Sequence, residues 1–148
     1  MRKQDVNMNK KQISKVLARA DAARVREMAE EIKAAHPAVI VKAPEKSLAM
    51  IQMRDPVKGT RFYLGEVIVC EAIVELEGAK GTAVLMGDDF DKVLDMAVID
   101  AACNKGIFAR YDELLRLSAE QELQDGRENA MFLNTMVNFT SMDSEAAQ

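Results

Sequence analysis

The stretch VIVCEAIVELEGAKGTAVLM, residues 67–86, decides the fold because apolar residues recur along it with a period of two. One face of its first half is apolar without exception and consists of Ile68, Cys70, Ala72, Val74 and Leu76. Segment 78–81 contains two glycines and can reverse the chain, and residues 82–86 return as a partner strand. The stretch therefore predicts a long antiparallel hairpin that buries one face in the core.

The opposite face of the same strand is mixed in character. It carries three apolar residues and three carboxylates: Val67, Val69 and Ile73, with Glu71, Glu75 and Glu77. One interpretation is that a partner subunit covers this face, which makes Val67, Val69 and Ile73 interface residues. The other is that the N-terminal helices cover it within the same chain, since sheets can be covered on both sides.

Two short helices and further strands precede the hairpin. Apolar residues at helical spacing predict one helix over about residues 13–20 and another over about 25–32. Asp21 is a candidate N-cap between them, and His36-Pro37 ends the second helix because the residue before proline is disfavoured in helical conformation. Two strands, 38–42 and 48–54, are linked through Pro44, and residues 55–59 form a turn.

Helical spacing returns after the hairpin. Asp88 and Asp89 open a helix whose apolar positions continue to Ala101, and a last helical region starts near Tyr111 and is interrupted or kinked at Gly126. This order of elements predicts an α+β fold with helices packed on an antiparallel sheet. We expect a single domain over residues 1–143, with residues 1–9 frayed and a polar tail at 144–148.

Composition excludes several classes of protein. The 148 residues are 49% hydrophobic and 30% charged, and the longest apolar runs have four residues, so we expect a cytoplasmic protein without a membrane span. Two cysteines without a Cys-x-x-Cys spacing argue against a disulfide framework or zinc site. Residues 1–46 carry 11 basic and 6 acidic side chains, but the net charge of −4 and the lack of interleaved aromatics argue against nucleic-acid binding.

Four carboxylates lie close together where the helix after the hairpin begins: Asp88, Asp89, Asp91 and Asp95. They can cap the helix, since carboxylates accept its free N–H groups and oppose its dipole. A metal site is the weaker interpretation, because the loop pattern of an EF-hand is absent. Asp100 interrupts the apolar face of this helix, and it lies either at the edge of that face or in a buried hydrogen bond.

A second candidate segment lies at residues 59–66, before the long strand. Arg61 has the planar fork that holds a phosphate oxygen, and Glu66 follows a glycine. The plainer interpretation is a loop that enters the strand. Phosphate loops of the Walker and dinucleotide types are absent, and no grouping of nucleophile and base is legible, so we predict no catalytic residue and no metal ligand.

Several segments in the same order resemble the PhnG family, the G subunit of the bacterial carbon-phosphorus lyase core complex. Residues 44–50, PEKSLAM, stand where the family has Pro-Glu-Thr-Gly-Leu-Val-Met, and residues 62–66, FYLGE, match its Phe-x-Leu-Gly-Glu. The family's glycine on the far side of the hairpin is matched by Gly81, and its Gly-Arg-Asp helix opening is matched by Gly87 and Asp89. Its Ile-Asp-Ala-like turn is matched by residues 99–101. Residues 137–142, VNFTSM, resemble its Val-Asp-Phe-Phe-Thr-Met.

Four positions depart from the family pattern. Asp88 replaces an arginine, Glu71 falls where a basic residue is common, Lys92 replaces a histidine and Thr140 replaces an aromatic residue. If that arginine binds phosphate or a partner carboxylate, this chain does so differently. The departures indicate a divergent branch of the family.

The resemblance implies a subunit without a complete active site. Family members take part in moving methylphosphonate onto C1′ of the ATP ribose with release of adenine; the I subunit is thought to supply that chemistry, and the iron-sulfur J subunit later cleaves the carbon-phosphorus bond. We expect subunits I, J and H as partners, ATP as a substrate of the complex, and no cofactor bound by this chain. Expected phosphate or partner contacts are Arg61, Glu66, Asp89 and Asp100.

Two other functions stay open at this point. A free-standing α+β dimerisation or scaffold module has the same patterning but binds only itself. A small metal-dependent phosphohydrolase would use Asp88, Asp91 and Asp95.

Overall fold

The computed structural model describes residues 8–137 and has the predicted α+β architecture. Two helices, α1 and α2, precede a three-stranded antiparallel sheet of order β1-β2-β3, and α3 and α4 follow it. Their bounds are α1 Lys10–Arg19, α2 Ala22–Ala35, β1 Ala38–Arg54, β2 Arg61–Leu76, β3 Ala79–Met86, α3 Phe90–Lys105 and α4 Tyr111–Asn134. No helix in this part of the chain is long and apolar enough to cross a membrane.

The β2–β3 hairpin confirms the prediction from the alternating pattern. Its turn is Glu77-Gly78, both at positive φ, which suits a two-residue hairpin and explains the glycine. Along β2 the predicted core face is fully buried at Cys70, Ala72, Val74 and Leu76. Ile68 was predicted to belong to this face of the core, and that prediction is wrong. Its side chain is 54% exposed because α3, which covers the rest of the face, starts beside Cys70 and leaves the earlier residues of β2 uncovered.

The predicted pair of strands before the turn is in fact one strand, β1. Residues 38–54 form one strand that pairs with β2, and the register shifts on both sides of Lys42 and again between Ile51 and Gln52. The shift after Lys42 spans Pro44. A proline has no N–H to donate, but β1 is an edge strand whose outer side pairs with nothing in the described residues, so the ladder accommodates it at an irregularity. The segment from Arg61 onward, interpreted as a loop, belongs to β2, and only residues 55–60 form the turn.

The two N-terminal helices form where the apolar spacing predicts them. Asn9 caps α1 and forms a capping box with Gln12, and Met8 before it is buried, so these two residues are not frayed. The rest of the segment that was expected to be frayed, residues 1–7, lies outside the described residues, as does the predicted tail at 144–148. Asp21 occupies the N-cap position of α2, but its side chain makes no capping hydrogen bond. The helix ends at His36, before Pro37, as predicted.

The helices form two layers on one side of the sheet. α3 packs against β2 and β3, α1 and α2 pack against α3, and α4 packs against α1. The core lies on both sides of α3, whose residues Val93, Ala97, Ile99 and Ala101 are fully buried. α4 runs without interruption through Gly126, so the prediction that this glycine interrupts the helix is wrong. One glycine costs a helix about 1 kcal/mol, which the remaining hydrogen bonds of a 24-residue helix tolerate.

A two-stranded arm projects from the sheet. β3 pairs with β2 only from Val69 to Leu76, so residues 48–54 of β1 and 61–68 of β2 extend further as a pair. This arm, residues 48–68 including the turn, has no third strand within the described residues. Apart from the turn at residues 55–60, most side chains of the arm are exposed on both faces.

Candidate partner interface

The sheet face opposite α3 carries no helix in the part of the chain that the structure describes. We call it the open face and define it by Val67, Val69 and Ile73 of β2 and by Val84 and Met86 of β3, which the strand register places on the same side. Met86 is 71% exposed and Val84 is also exposed, whereas Ile73 and Val67 are half-buried. The N-terminal helices pack on α3 instead, so the alternative in which they cover this face is wrong.

Val69 differs from the other predicted interface residues because it is already buried. Its side chain is only 7% exposed, and the register places it between Ser47 of β1 and Met86 of β3. It is nevertheless outside the main core cluster, which contains the opposite face of β2. The exposed apolar surface of the open face is therefore supplied chiefly by β3.

An ionic cluster lies on the open face next to these apolar residues. Lys42 of β1 pairs with Glu71 across the strands, and its Nζ lies 2.7 Å from Oε1 of Glu45. The hydrogen bonds to Glu45 and Glu71 raise the pKa of Lys42 above its usual value. Glu71, one of the departures from the PhnG pattern, is thus neutralised within the chain by Lys42.

Arg61 and Glu66 both lie on the arm. The register pairs Arg61 with Arg54 and Glu66 with Met50. Neither Arg54 nor Arg61 forms an ion pair with any residue in the range 8–137. Like charges directly opposite each other on a sheet repel, so the far end of the arm favours an anionic neighbour.

Asp89 and Asp100 lie elsewhere, near the two ends of α3. Asp89 is the N-cap of α3 and accepts the N–H of Lys92 at 3.1 Å, as the capping interpretation predicts. Asp100 is buried and accepts the N–H of Thr82 at 2.9 Å. Eleven residues of helix separate them by about 16 Å. The structure therefore does not bring the four predicted contact residues together, and it gives both aspartates partners within the chain.

The carboxylates near the start of α3 are paired with bases. Oδ1 of the buried Asp95 lies 2.9 Å from Nζ of Lys33, and Arg26 lies 3.9 Å from both Asp95 and Asp91. No group of three or more histidine, cysteine, aspartate or glutamate side chains within residues 8–137 is placed to hold a metal ion. These pairings explain why an acidic segment folds against the N-terminal helices.

Lys92 links α3 to α1, a role that the sequence did not predict. Its Nζ donates to the carbonyl oxygens of Ala18 at 2.8 Å and Ala20 at 2.7 Å, which are free at the C-terminal end of α1. Burial lowers the pKa of Lys92. Only the resemblance marked this position, as one where the family has a histidine, and a histidine can also donate to carbonyl groups.

The described residues contain no arrangement typical of a nucleophile and its base. Burial raises the pKa of both thiols, Cys70 and Cys103, which keeps them protonated near neutral pH. His36 lies at the end of α2 and its Nδ1 is 3.2 Å from Glu77. A cleft of about 400 Å³ between α2 and α4 is lined mainly by charged side chains, among which Arg110 pairs with Glu27 and Arg24 pairs with Glu120.

Comparison with known families gives a match over nearly the whole chain. The model of the family described as "Phosphonate metabolism protein PhnG" matches residues 8–143. No curated protein matches the chain. Of the segment that resembles the family's C-terminal motif, residues 137–142, all but Val137 lies outside the described residues, including the departure at Thr140.

Proposed function

Because this chain belongs to the PhnG family of phosphonate metabolism proteins, we propose that it is an accessory subunit of the carbon-phosphorus lyase core complex. In this role it supports the transfer of methylphosphonate to C1′ of the ATP ribose, with release of adenine, and the chemistry takes place on other subunits. Its partners are subunits I, J and H, in the cytoplasm. ATP is a substrate of the complex, and the chain itself holds no cofactor.

The observation that carries this proposal is the open face of the sheet. Met86 and Val84 expose apolar side chains there, and no described helix covers them. Exposed apolar patches next to polar groups are typical of protein interfaces, and here the polar part is the Lys42–Glu71 pair. A subunit that docks through this face needs no active site of its own.

The protonation and pairing of the candidate nucleophiles support the same proposal. Both thiols are held protonated by burial, and His36 is engaged with Glu77. The phosphohydrolase alternative is disfavoured because each carboxylate that it requires lies beside a base of the same chain. Oδ1 of Asp95 is 2.9 Å from Nζ of Lys33, and Asp91 and Asp88 are each 3.9 Å from a basic side chain, Arg26 and Lys46 respectively. Because both thiols stay protonated and His36 is paired, the described residues offer no activated nucleophile, and we expect the isolated chain to be inactive.

Co-expression with the I subunit tests the proposal. The tagged chain should retain subunit I through affinity purification, and the isolated chain should release no adenine from ATP and methylphosphonate. Met86→Glu places a charge in the open face and should reduce the retained I subunit by at least about tenfold. Ala34→Glu, on an exposed position of α2 away from the sheet, is the matched control and should change nothing.

Adenine release by the purified single chain would contradict the proposal. Retention of subunit I by the Met86→Glu variant at the wild-type level would show that the open face is not the docking surface.

A further inference from the structure

The tip of the arm, residues 54–61, carries three exposed basic side chains that no acidic side chain of the described residues pairs with. They are Arg54, Lys58 and Arg61, and none of them forms an ion pair within residues 8–137. The arm tip is therefore a small region of positive charge at the far end of a two-stranded projection.

The strand register places the two arginines side by side. Arg54 pairs with Arg61. In the next pair towards the turn, the N–H of Asp55 donates to the carbonyl oxygen of Thr60 at 2.8 Å. Because hydrogen-bonded and non-hydrogen-bonded pairs alternate along an antiparallel ladder, the two arginines form a non-hydrogen-bonded pair, with Cα atoms about 4.5 Å apart and side chains on one face. Like charges at this spacing repel each other, and an anion bound between them removes that repulsion.

The one acidic side chain of the arm tip, Asp55, is occupied by the turn. Its Oδ1 accepts the N–H of Val57 at 2.8 Å and the N–H of Lys58 at 3.3 Å. Three basic residues and one acidic residue leave the arm tip with a net charge of +2. Glu66, the other acidic residue of the arm, lies about 13 Å along the strand pair from the two arginines. The anion-binding capacity of the arginine pair is therefore not used within the described residues.

An aromatic ring and an amide follow the arginines on the same face of the arm. Gln52 pairs with Tyr63, two positions along from the arginine pair and without a register shift between them. Side chains two residues apart share a face of a strand, so this second pair lies about 7 Å from the first on the same side. Tyr63 is 61% exposed, and an exposed aromatic ring is a surface on which a nucleobase stacks. The amide of Gln52, which is also exposed, can both donate and accept a hydrogen bond.

We infer that the arm tip binds a nucleoside triphosphate. The planar forks of Arg54 and Arg61 hold the phosphate oxygens through paired hydrogen bonds, and Lys58 adds a third cation from the turn. The base stacks on Tyr63 at the next pair along the arm. A polyphosphate chain concentrates several negative charges within a short length, which matches three cations grouped at one turn. The inference rests on these side chains and not on the proposed role in the complex.

Isothermal titration calorimetry of the full chain with ATP, at low ionic strength and without Mg²⁺, tests the inference. The wild type should bind one ATP per chain with a Kd of about 1 mM or tighter. Arg54→Gln and Arg61→Gln should each weaken binding at least about tenfold, because each removes one of the two forks that share the anion. Both side chains are exposed, so the variants should stay folded, which circular dichroism measures.

Arg116→Gln combined with Arg127→Gln is the matched control for the arginine double variant of the arm tip, because it removes the same amount of charge. These two arginines of α4 are also exposed and form no ion pair in the part of the chain that the structure describes. Eleven residues of helix separate them by about 16 Å, so they cannot share one anion. The control should bind ATP as the wild type does.

Tripolyphosphate separates recognition of a nucleotide from recognition of phosphate alone. Tyr63→Leu should weaken the binding of ATP at least about threefold and leave the binding of tripolyphosphate unchanged. A Tyr63→Leu variant that binds ATP as tightly as the wild type would overturn the assignment to a nucleotide. A wild type that does not bind ATP, or equal losses in the control and in the arginine double variant, would overturn the site itself. The assay uses the single chain, so its result does not depend on whether subunit I is retained.

Discussion

The backbone N–H of Thr82 donates a hydrogen bond of 2.9 Å to Oδ2 of Asp100, which ties β3 to the helix that covers it. Asp100 is buried, and the amide of Asn104 lies 3.4 Å from the same oxygen. The carboxylate that interrupts the apolar face of α3 is therefore a structural acceptor for a strand that lies directly beneath the helix. This contact satisfies an N–H that the β2–β3 ladder leaves without a partner.

Replacing Asp100 with alanine should destabilise the fold by about 1–3 kcal/mol, because the N–H of Thr82 then stays unpaired in a partly buried place. Asp100→Asn keeps an acceptor oxygen and should cost less, since the partner Lys10 is largely exposed and its ion pair contributes little. Urea unfolding at neutral pH measures both. Equal losses for the two variants would show that the charge matters and not the acceptor.

Gly81→Ala should prevent folding or cost more than about 3 kcal/mol. A Cβ at this position would lie 2.1 Å from the carbonyl oxygen of Ala97 and 2.3 Å from the amide nitrogen of Ala101, and these are backbone atoms that cannot move aside. Gly65→Ala is the control, because a Cβ there meets no atom within 4 Å. Thermal unfolding followed by circular dichroism compares them, and a Gly81→Ala variant as stable as the control would contradict the close packing of α3 on β3.

Asp89→Ala should lower stability by about 1 kcal/mol, because the side chain that accepts the N–H of Lys92 is lost from the N-terminus of α3. Asp88→Ala should have an effect below about 0.5 kcal/mol, since the side chain of Asp88 is 75% exposed and lies 3.9 Å from Lys46. Chemical denaturation measures the difference. Calorimetry provides the opposing test. Tight binding of Mg²⁺ or Mn²⁺ that is lost when Asp88→Ala and Asp89→Ala are combined would contradict the interpretation of these carboxylates as helix caps.

The two faces of β2 should respond differently to a charge. Val74→Asp buries an unpaired carboxylate at a fully buried position and should prevent folding or cost several kcal/mol. Ile73→Glu lies on the open face and should leave a folded chain that no longer retains the I subunit. Circular dichroism measures whether each variant is folded, and affinity purification measures whether it retains the I subunit. If Ile73→Glu is as unfolded as Val74→Asp, the open face is part of the internal core and is not a docking surface.

Tyr111 should ionise with a midpoint of about 12, because burial raises its pKa and its hydrogen bond with Cys103 raises it further. The chain has two tyrosines, so Tyr63→Phe leaves Tyr111 as the only phenol to titrate. Its folded pKa lies above the unfolded value, so its contribution to stability is complete below about pH 10 and is lost as the pH rises towards 12. Absorbance after rapid pH jumps measures the midpoint, and a value near 10 would contradict the burial of this ring.

Local patterns in the sequence were sufficient for the positions of the helices, for the β2–β3 hairpin and for most of one face of the sheet. The period of two along residues 67–76 identified Cys70, Ala72 and Val74 as core, because side chains on a strand alternate between two faces. Helical spacing and the carboxylate before Phe90 located α3 and its cap. The order of the motifs from residue 44 to residue 142 gave the resemblance, which the family match over residues 8–143 confirms.

The tertiary structure alone decided which surfaces stay uncovered. Ile68 satisfies the alternating pattern as well as Cys70 does, yet it is exposed because α3 starts beside Cys70 and does not reach further along the strand. The same holds for the bond from Lys92 to the end of α1, which joins residues more than seventy positions apart. Periodicity reports which side chains share a face, but the element that covers the face is set by long-range packing, which no short window of sequence contains.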